Sequence, residues 1–183
     1  PTIAVQSGKW YVEFTAAGNT TFCGVSNIND YDPDTNYYGN WNTSIGFYGI
    51  SGLLFIDGAT STWSGGLAYG NGDIVGIALD KDNGYVYMSK NGTWASSGDP
   101  TSGSSGTGGV ALTTGNSDYS ASDYFYIGAS QNINAGVLQA NYGGYTADTI
   151  SSAASDANGY GTFEYAPPSG YYALCSKNLA EYG

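Results

Sequence analysis

The sequence predicts an all-β protein, a sandwich or barrel of antiparallel strands with very little helix. Its 183 residues include 29 Gly and 18 Tyr, and its short apolar stretches are rich in Val, Ile, Tyr and Phe, which favour strands and tight turns. No long stretch places apolar residues at the i, i+3, i+4 and i+7 spacing of an amphipathic helix. Since no linker divides the chain, we expect one domain spanning residues 1–183.

The first strands follow from the alternation of apolar residues. In "GKWYVEFT", Trp10, Val12 and Phe14 occupy every second position, as in a strand with two different faces. "TFCGVSN" predicts a second strand, and "SIGFYGISGLLFID" predicts two short strands around a turn. Between them, residues 28–42 are polar, aromatic and rich in turn formers, which indicates a long surface loop.

The segment 72–92, "GDIVGIALDKDNGYVYMSKNG", predicts a hairpin. Asn83-Gly84 is the strongest signal, because both residues tolerate the positive φ of a type I′ turn. A second turn is predicted at Asn91-Gly92. The side chains expected to point into the core are Val75, Ile77, Leu79, Val86 and Met88.

Three acidic residues of this segment, Asp73, Asp80 and Asp82, stand at its bends. Asp is favoured at such positions because its carboxylate accepts hydrogen bonds from nearby backbone N–H groups. We therefore interpret the three residues as structural rather than as a metal or catalytic site.

The second half of the chain begins with a low-complexity stretch. Residues 96–109 are rich in Gly and Ser and too poor in apolar groups to pack, so we expect a flexible insertion. Strands are predicted again at "DYFYIGAS", "GVLQANYG", "GTFEYAP" and "GYYALCS". About ten short strands separated by turns are typical of a sandwich or a barrel.

Charge and composition exclude several classes of function. The net charge is −11, with four Lys and no Arg. Nucleic acid and anionic membranes are therefore not expected partners, because both attract clustered basic residues. No apolar run is long enough to span a bilayer. The chain contains no His, which excludes Ser-His-Asp and Cys-His catalysis and the usual zinc sites, and no cofactor is expected.

Cys23 and Cys175 each lie in an apolar, strand-like run. We expect both thiols to be reduced and buried, since a free Cys behaves as a small hydrophobic residue. A disulfide between them is the alternative.

Asp30, Asp32 and Asp34 place carboxylates at alternate positions, a spacing found in calcium-binding loops. However, Thr35 stands where such a loop needs Gly, and no flanking helices are predicted. We therefore expect a solvated acidic loop and no metal site, with calcium as the weaker alternative. The sequence does not bring two carboxylates together as glycoside hydrolysis requires, so we do not expect an enzyme.

Aromatic residues provide the best indication of a binding site. Rings with Asn and Asp neighbours suit protein interfaces, and also sugars, which stack on the rings while amides and carboxylates bind the hydroxyls. The alternative is that the rings cap the ends of the sandwich and pack on its strands. The candidate binding residues are Tyr31, Asp32, Asp34, Asn36, Tyr37, Tyr38, Trp41 and Trp63.

The order of the motifs resembles that of a SPRY domain. The landmarks extend over residues 8–179 and are "GKWYVEF", "GVSN", the segment 72–92, "YIGASQ", "GVLQANYGG" and "FEYAPPSGYYAL". The resemblance implies a bent, concanavalin-like sandwich of two antiparallel sheets that binds partners through loops at one end. The closing "APPSGYYALCSKNL" is similar to the C-terminal tail of SPRY modules in bacteriophage structural proteins.

The resemblance also implies a function. We expect a non-enzymatic binding or structural module of a phage-like virion surface, as part of a tail fibre or as a capsid decoration. Its partner would be a protein of the virion or surface assembly, or a host-surface glycan, and a homo-oligomer is compatible with this setting. Its location would be the virion or an extracellular surface. The alternative is a carbohydrate-recognition module of a secreted or cell-surface protein.

Overall fold

The structure is a computed structural model, and it describes residues 3–28, 37–41, 43–61, 65–114, 119–131, 136–144 and 149–183. These residues form thirteen strands and one short α-helix. The strands are β1 Ala4–Val5, β2 Lys9–Ala17, β3 Thr21–Asn27, β4 Ser44–Tyr48, β5 Leu54–Ile56, β6 Ala59–Thr60, β7 Ile74–Asp80, β8 Tyr85–Lys90, β9 Thr93–Trp94, β10 Val110–Ala111, β11 Phe125–Gln131, β12 Val137–Asn141 and β13 Tyr172–Ala173, and the helix is α1 Ser176–Tyr182.

The strands form two sheets. Sheet A has six strands in the order β1-β11-β3-β4-β5-β6, and sheet B has seven, with β10-β8-β7-β2-β12 as its main path. Off this path in sheet B, β9 pairs with β8 and β13 pairs with β2. The β13–β2 pair is parallel, and all the other pairs of the two sheets, β9–β8 included, are antiparallel. The predicted all-β sandwich with little helix is confirmed.

The inner faces of the two sheets form one hydrophobic core. Trp10, Val12 and Phe14 enter it from β2, as the period of two requires. Sheet A contributes, among others, Val25 and Phe47. The residues of the central hairpin predicted to point inward are confirmed as members of this core: Val75, Ile77, Leu79, Val86 and Met88.

The outer face of sheet B is buried as well. Tyr11 and Tyr87 from the sheet pack against Phe163, Tyr171 and Ala173 from the C-terminal part of the chain. The C-terminal part therefore covers a face that alternation alone would assign to solvent.

Glu13 fixes this cover to the sheet. Its buried carboxylate accepts hydrogen bonds from the backbone N–H groups of Glu164 (2.9 Å) and Tyr165 (2.9 Å) and from the Tyr11 hydroxyl (3.0 Å). A buried carboxylate is tolerated only when its oxygens are hydrogen-bonded, and the strand-free segment after Phe163 provides the donors.

A second buried polar contact fixes helix α1. The Asn178 side chain donates from Nδ2 to Asp156 Oδ2 (2.7 Å) and to the Ala173 carbonyl oxygen (2.9 Å). The helix has seven residues, too few to show a helical period in the sequence. The strand predicted at "GTFEYAP" is wrong, because that segment forms only an isolated bridge between Ala154 and Phe163.

The prediction that residues 96–109 lack the groups to pack is wrong. The Tyr171 hydroxyl donates to the carbonyl oxygen of the buried Pro100 (2.9 Å). Gly106, with φ of 57°, lies so close to the Tyr85 ring that a Cβ would collide with it. The apolar surface comes from tyrosines elsewhere in the sequence, and glycine lets the backbone approach them.

The two Asn-Gly pairs form different turns. Between β7 and β8 the register Asp80↔Tyr85 leaves a four-residue turn in which Gly84 has the positive φ, so the type I′ prediction there is wrong. The Asp80 carboxylate accepts from the Asn83 N–H (2.9 Å) and stabilises this turn. The type I′ geometry occurs instead at Asn91-Gly92, where φ is 48° and 77°.

The three acidic residues at the bends make structural contacts. Asp80 is buried and pairs with Lys9 (2.8 Å), and Asp82 accepts from the Gly8 N–H (2.7 Å). Asp73 accepts from the Gly70 N–H (2.9 Å). The bonds of Asp73 to Gly70 and of Asp80 to Asn83 are the local turn contacts that the sequence predicts, whereas the contacts with Lys9 and Gly8 join distant parts of the chain.

Both cysteines are free. Cys23 is buried, and burial raises the pKa of its thiol to about 12 even though the Tyr69 hydroxyl lies close to it. Cys175 is only half-buried, because it directly precedes α1 at the surface, so the expectation that it would be buried is wrong. Within the described ranges, no helix combines the length and the apolar character that crossing a bilayer demands.

Substituting Ile77, which is fully buried, by Ala should lower the free energy of unfolding by about 2–5 kcal/mol, because the change leaves a cavity in the core. Denaturant titration measures this. The matched control is Val137→Ala at a side chain that is 57% exposed, where we expect a change within about 0.5 kcal/mol. Equal effects of the two substitutions would contradict the assigned core.

Substituting Tyr171 by Phe removes the donor to Pro100 and should cost about 1–3 kcal/mol of stability, since it leaves a buried carbonyl oxygen without its hydrogen bond. Tyr124→Phe, at a ring that is 46% exposed, is the control. Chemical denaturation of both variants compares them. Unchanged stability of Tyr171→Phe would contradict the docking of Pro100 on Tyr171.

Candidate functional site

The structure describes three of the predicted binding residues, Tyr37, Tyr38 and Trp41. The others lie outside the described residues, as does Asp30, so the calcium hypothesis stays a prediction. The residues outside are Tyr31, Asp32, Asp34, Asn36 and Trp63. In the part of the chain that is described, no three His, Cys, Asp or Glu side chains are grouped as a metal site would require.

Residues 37–41 lie across the outer face of sheet A rather than at an end of the sandwich. Gly46 of β4 makes this approach feasible, because a Cβ there would collide with the Tyr38 carbonyl oxygen. The Ser44 hydroxyl accepts from the Gly39 N–H (2.9 Å) and donates to the Trp41 carbonyl oxygen (2.8 Å). One serine side chain thus bonds two points of the segment to β4.

Tyr38 and Trp41 serve as packing groups in this segment. Tyr38 is 1% and Trp41 7% exposed, and their rings meet edge to face at 5.4 Å. With Phe22 they form a small core on the outer face of sheet A. These two rings therefore match the alternative in which aromatic residues pack on the strands.

Tyr37 belongs to a different arrangement, which we call the aromatic stack and which consists of Tyr37, Phe22, Tyr48 and Phe55. Phe22 lies between Tyr37 (4.3 Å, 16°) and Tyr48 (4.5 Å, 14°) with nearly parallel rings. Phe55 meets Phe22 edge on, at 5.2 Å and 90°. Tyr37, Tyr48 and Phe55 are half-buried, so the stack exposes aromatic surface.

Strand geometry positions the stack. Phe22 and Tyr48 are direct partners in the β3–β4 register, and such cross-strand pairs are in close contact. Phe55 points to the same outer face from β5, while its neighbours Leu54 and Ile56 enter the core. The sequence analysis missed Tyr48 and Phe55, although their alternation with buried apolar neighbours was a usable signal.

Polar groups border the stack where β5 turns into β6. The Gly58 N–H donates to the Gly39 carbonyl oxygen (2.8 Å), which places the exposed Asp57 beside the half-buried Asn40. Asp57 holds a positive φ of 51°. The surface therefore combines aromatic faces with a carboxylate and an amide at its border, and this combination suits non-covalent binding.

The electrostatic setting is strongly acidic. The chain carries a net charge of −11, and its four lysines all have internal partners. Lys9 and Lys90 form ion pairs, Lys81 donates to a backbone carbonyl oxygen, and Lys177 lies over an aromatic ring. The unbalanced charge available to a partner is therefore negative, which attracts cationic groups.

Glu13 and Glu164 both have carboxylates that are hydrogen-bonded within the chain. Burial raises the pKa of Glu13, and the hydrogen bonds from Tyr165, Glu164 and Tyr11 offset this only in part. The carboxylate lies beneath the covering segment, where its oxygens are occupied. The Glu164 side chain is engaged by the Ser151 hydroxyl and N–H group. Hydrogen bonds of Glu13 and Glu164 thus connect β2 to residues 164–165 and Glu164 to Ser151.

Comparison with known proteins gives a match among solved structures and none among family models or curated sequences. No protein-family model matches the chain, and no curated protein sequence matches it. Among solved structures it is similar to the SPRY domain of human HERC1, with 17% sequence identity and a TM-score of 0.45, over 71% of this chain and 75% of that chain. The strand pairing within the two sheets establishes the β-sandwich independently of this similarity.

Glu13 should give stability an unusual pH dependence. Because its folded pKa lies above its ordinary value of 4.5, its contribution is complete below that value and is lost as the pH rises through the folded pKa. The free energy of unfolding of the wild type should therefore fall relative to Glu13→Gln as the pH rises through this window. Denaturant titrations across the pH range measure the difference.

The control for this prediction is Glu164→Gln. Hydrogen bonds from Ser151 hold the pKa of Glu164 below 4.5, so its contribution is present above that value and is lost as the pH falls. The two variants should differ from the wild type with opposite pH trends. The same trend for both would mean that Glu13 is not buried as described.

Proposed function

We propose that this chain is a non-catalytic binding module and that the aromatic stack, with Asn40 and Asp57 at its border, is its recognition surface. The observation that carries the proposal is the arrangement of Tyr37, Tyr48 and Phe55, which are half-buried and held on a sheet. Rings fixed in this way lose little conformational entropy when a partner covers them. The packed Tyr38 and Trp41 support the surface from below.

The leading partner is a protein of a phage-like virion or surface assembly, in which the chain would belong to a tail fibre or a capsid decoration. The support for a protein partner is physical, because aromatic faces in an acidic molecule attract Lys and Arg side chains through cation–π and charge interactions. The support for the virion setting is the resemblance of the C-terminal tail alone, which is an analogy. Density-gradient fractionation tests this setting, since a virion component sediments with assembled particles.

A carbohydrate-recognition module is the second candidate, and one observation favours it. The Asn40 N–H donates to the Tyr37 carbonyl oxygen (2.9 Å), so an amide side chain, which suits sugar hydroxyls, lies next to one of the nearly parallel rings of the stack. Binding of the isolated monomer to a glycan array would favour this candidate over a protein partner.

Tyr37→Ala should weaken binding by roughly 2 kcal/mol, as for an interface hot spot, and leave the melting temperature nearly unchanged. Trp41→Ala should do the reverse, with a loss of about 3–5 kcal/mol of stability, because Trp41 is only 7% exposed. Binding to assembled particles and to the glycan array, together with thermal melting, separates the two effects.

The matched control is Tyr124→Ala, which removes an exposed ring at a distance from the stack. It should change neither binding nor melting. If Tyr37→Ala binds both targets as the wild type does, the stack is not the recognition surface.

A further inference from the structure

Within the described residues, two strand edges face each other across one side of the sandwich without pairing to each other. β12 is the last strand on its side of sheet B and, within the described residues, pairs with β2. On the same side, the described part of β1 pairs with β11 of sheet A at Phe125 and Tyr126. No described strand pairs with the remainder of this edge of β11, where the Tyr142 hydroxyl donates to the Ile127 carbonyl oxygen (2.9 Å).

The hydrogen-bond pattern shows which groups of β12 face outward. Ala16 of β2 donates from its N–H to Asp73 and accepts from Gly72, so its backbone groups point toward β7. Its register partner on the other side is Leu138. In an antiparallel ladder, the backbone N–H and C=O groups of two opposite residues either point toward each other or both point away from each other. The N–H and C=O groups of Leu138, and of Ala140 two residues later, therefore point to the open edge.

The same reasoning applies to β11. The Tyr124 carbonyl oxygen accepts from the Ile28 N–H (2.9 Å), so the even-numbered residues of this strand face β3. The backbone groups of Ala129 and Gln131 consequently point away from β3, toward the side where β12 lies.

A groove lies between the two edges. It encloses about 360 Å³ and is lined by Thr21, Ala129, Ser130, Gln131, Gly136, Val137 and Leu138. Thr21 is 1% exposed, and its hydroxyl has no hydrogen-bond partner in the described part of the chain. Val137 is 57% exposed, the largest exposed fraction among the big apolar side chains described. The groove thus offers unpaired backbone groups, one unsatisfied hydroxyl and apolar surface.

We propose that this groove binds an extended, Lys- or Arg-bearing segment of a partner protein, which adds a strand along β12. Backbone donors and acceptors in the alternating pattern of a strand edge are satisfied by another strand. The net charge of −11, with every lysine engaged internally, selects a cationic segment. A second copy of this chain would carry the same negative charge and is disfavoured for that reason.

This site is distinct from the aromatic stack. It uses backbone groups at the edges of β11 and β12, whereas the stack uses side chains on the outer face of β3, β4 and β5. Binding at the β12 edge can therefore fail while binding at the aromatic stack persists. Ala140→Pro tests the edge, and Tyr37→Ala tests the stack.

The experiment uses fluorescence anisotropy with a labelled peptide of alternating Lys and Val. We expect the peptide to bind, and we expect a Glu–Val peptide and a fully N-methylated Lys–Val peptide not to bind. Ala140→Pro removes an outward N–H group without touching the bonds to β2 and is tolerated at an edge. It should weaken binding by about tenfold, the equivalent of one lost hydrogen bond.

The matched control is Ala157→Pro, which introduces proline at an exposed position inside the turn closed by Gly159 and Asp156. It should bind the peptide as the wild type does, and so should Tyr37→Ala. Hydrogen exchange should show new protection of the Leu138 and Ala140 amides when the peptide is added.

Several results would overturn the proposal. Binding of the N-methylated peptide, or binding that Ala140→Pro does not weaken, would be unspecific attraction of charge. Protection that appears elsewhere, or no binding of the Lys–Val peptide at all, would also contradict it. Self-association of the chain that Ala140→Pro abolishes would identify a second copy as the occupant.

Discussion

Both faces of β2 are buried, and the rest of the structure depends on this constraint. Its inner face gives Trp10, Val12 and Phe14 to the core, while its outer face carries Tyr11 and Glu13. An unbonded carboxylate in such a place would cost several kcal/mol. The backbone of residues 164–165 supplies the donors, so sheet B is complete only when a segment some 150 positions away has docked.

The outer face of sheet A is also covered, but by a different segment of the chain. This segment is residues 37–41, which approach over Gly46 and are bonded through the Ser44 hydroxyl. The cover is incomplete, because Tyr37 and Tyr48 remain half-buried. Within one aromatic cluster, the rings beneath the segment are buried and pack it onto the sheet, while the rings at its border keep exposed surface, on which the proposed recognition role depends.

Period-two alternation predicted β2, β7 and β8 and their core residues, because each of these strands carries that pattern locally. The two-residue strands β1, β6, β9 and β10 are too short to show it. The alternation separated the two faces of β2 but did not predict that the face with Tyr11 and Glu13 is covered, since nothing near β2 in sequence reveals the distant segment. It could not separate Tyr37 from Trp41, two rings in one segment, because only the position of β3–β5 decides which is buried. Residues 96–109 were misjudged for a related reason: their apolar partners, such as Tyr171, are supplied by other segments.

The acidic composition has a structural consequence at the sheet edges. Exposed edges invite pairing between molecules, and short edge strands are one protection against it. β1, β6 and β10 have two residues each, but β12 has five. For β12, protection against a second copy comes instead from the charge of −11, which repels like molecules while attracting a cationic strand. One property of the composition thereby opposes self-association and favours a partner of opposite charge at the same edge.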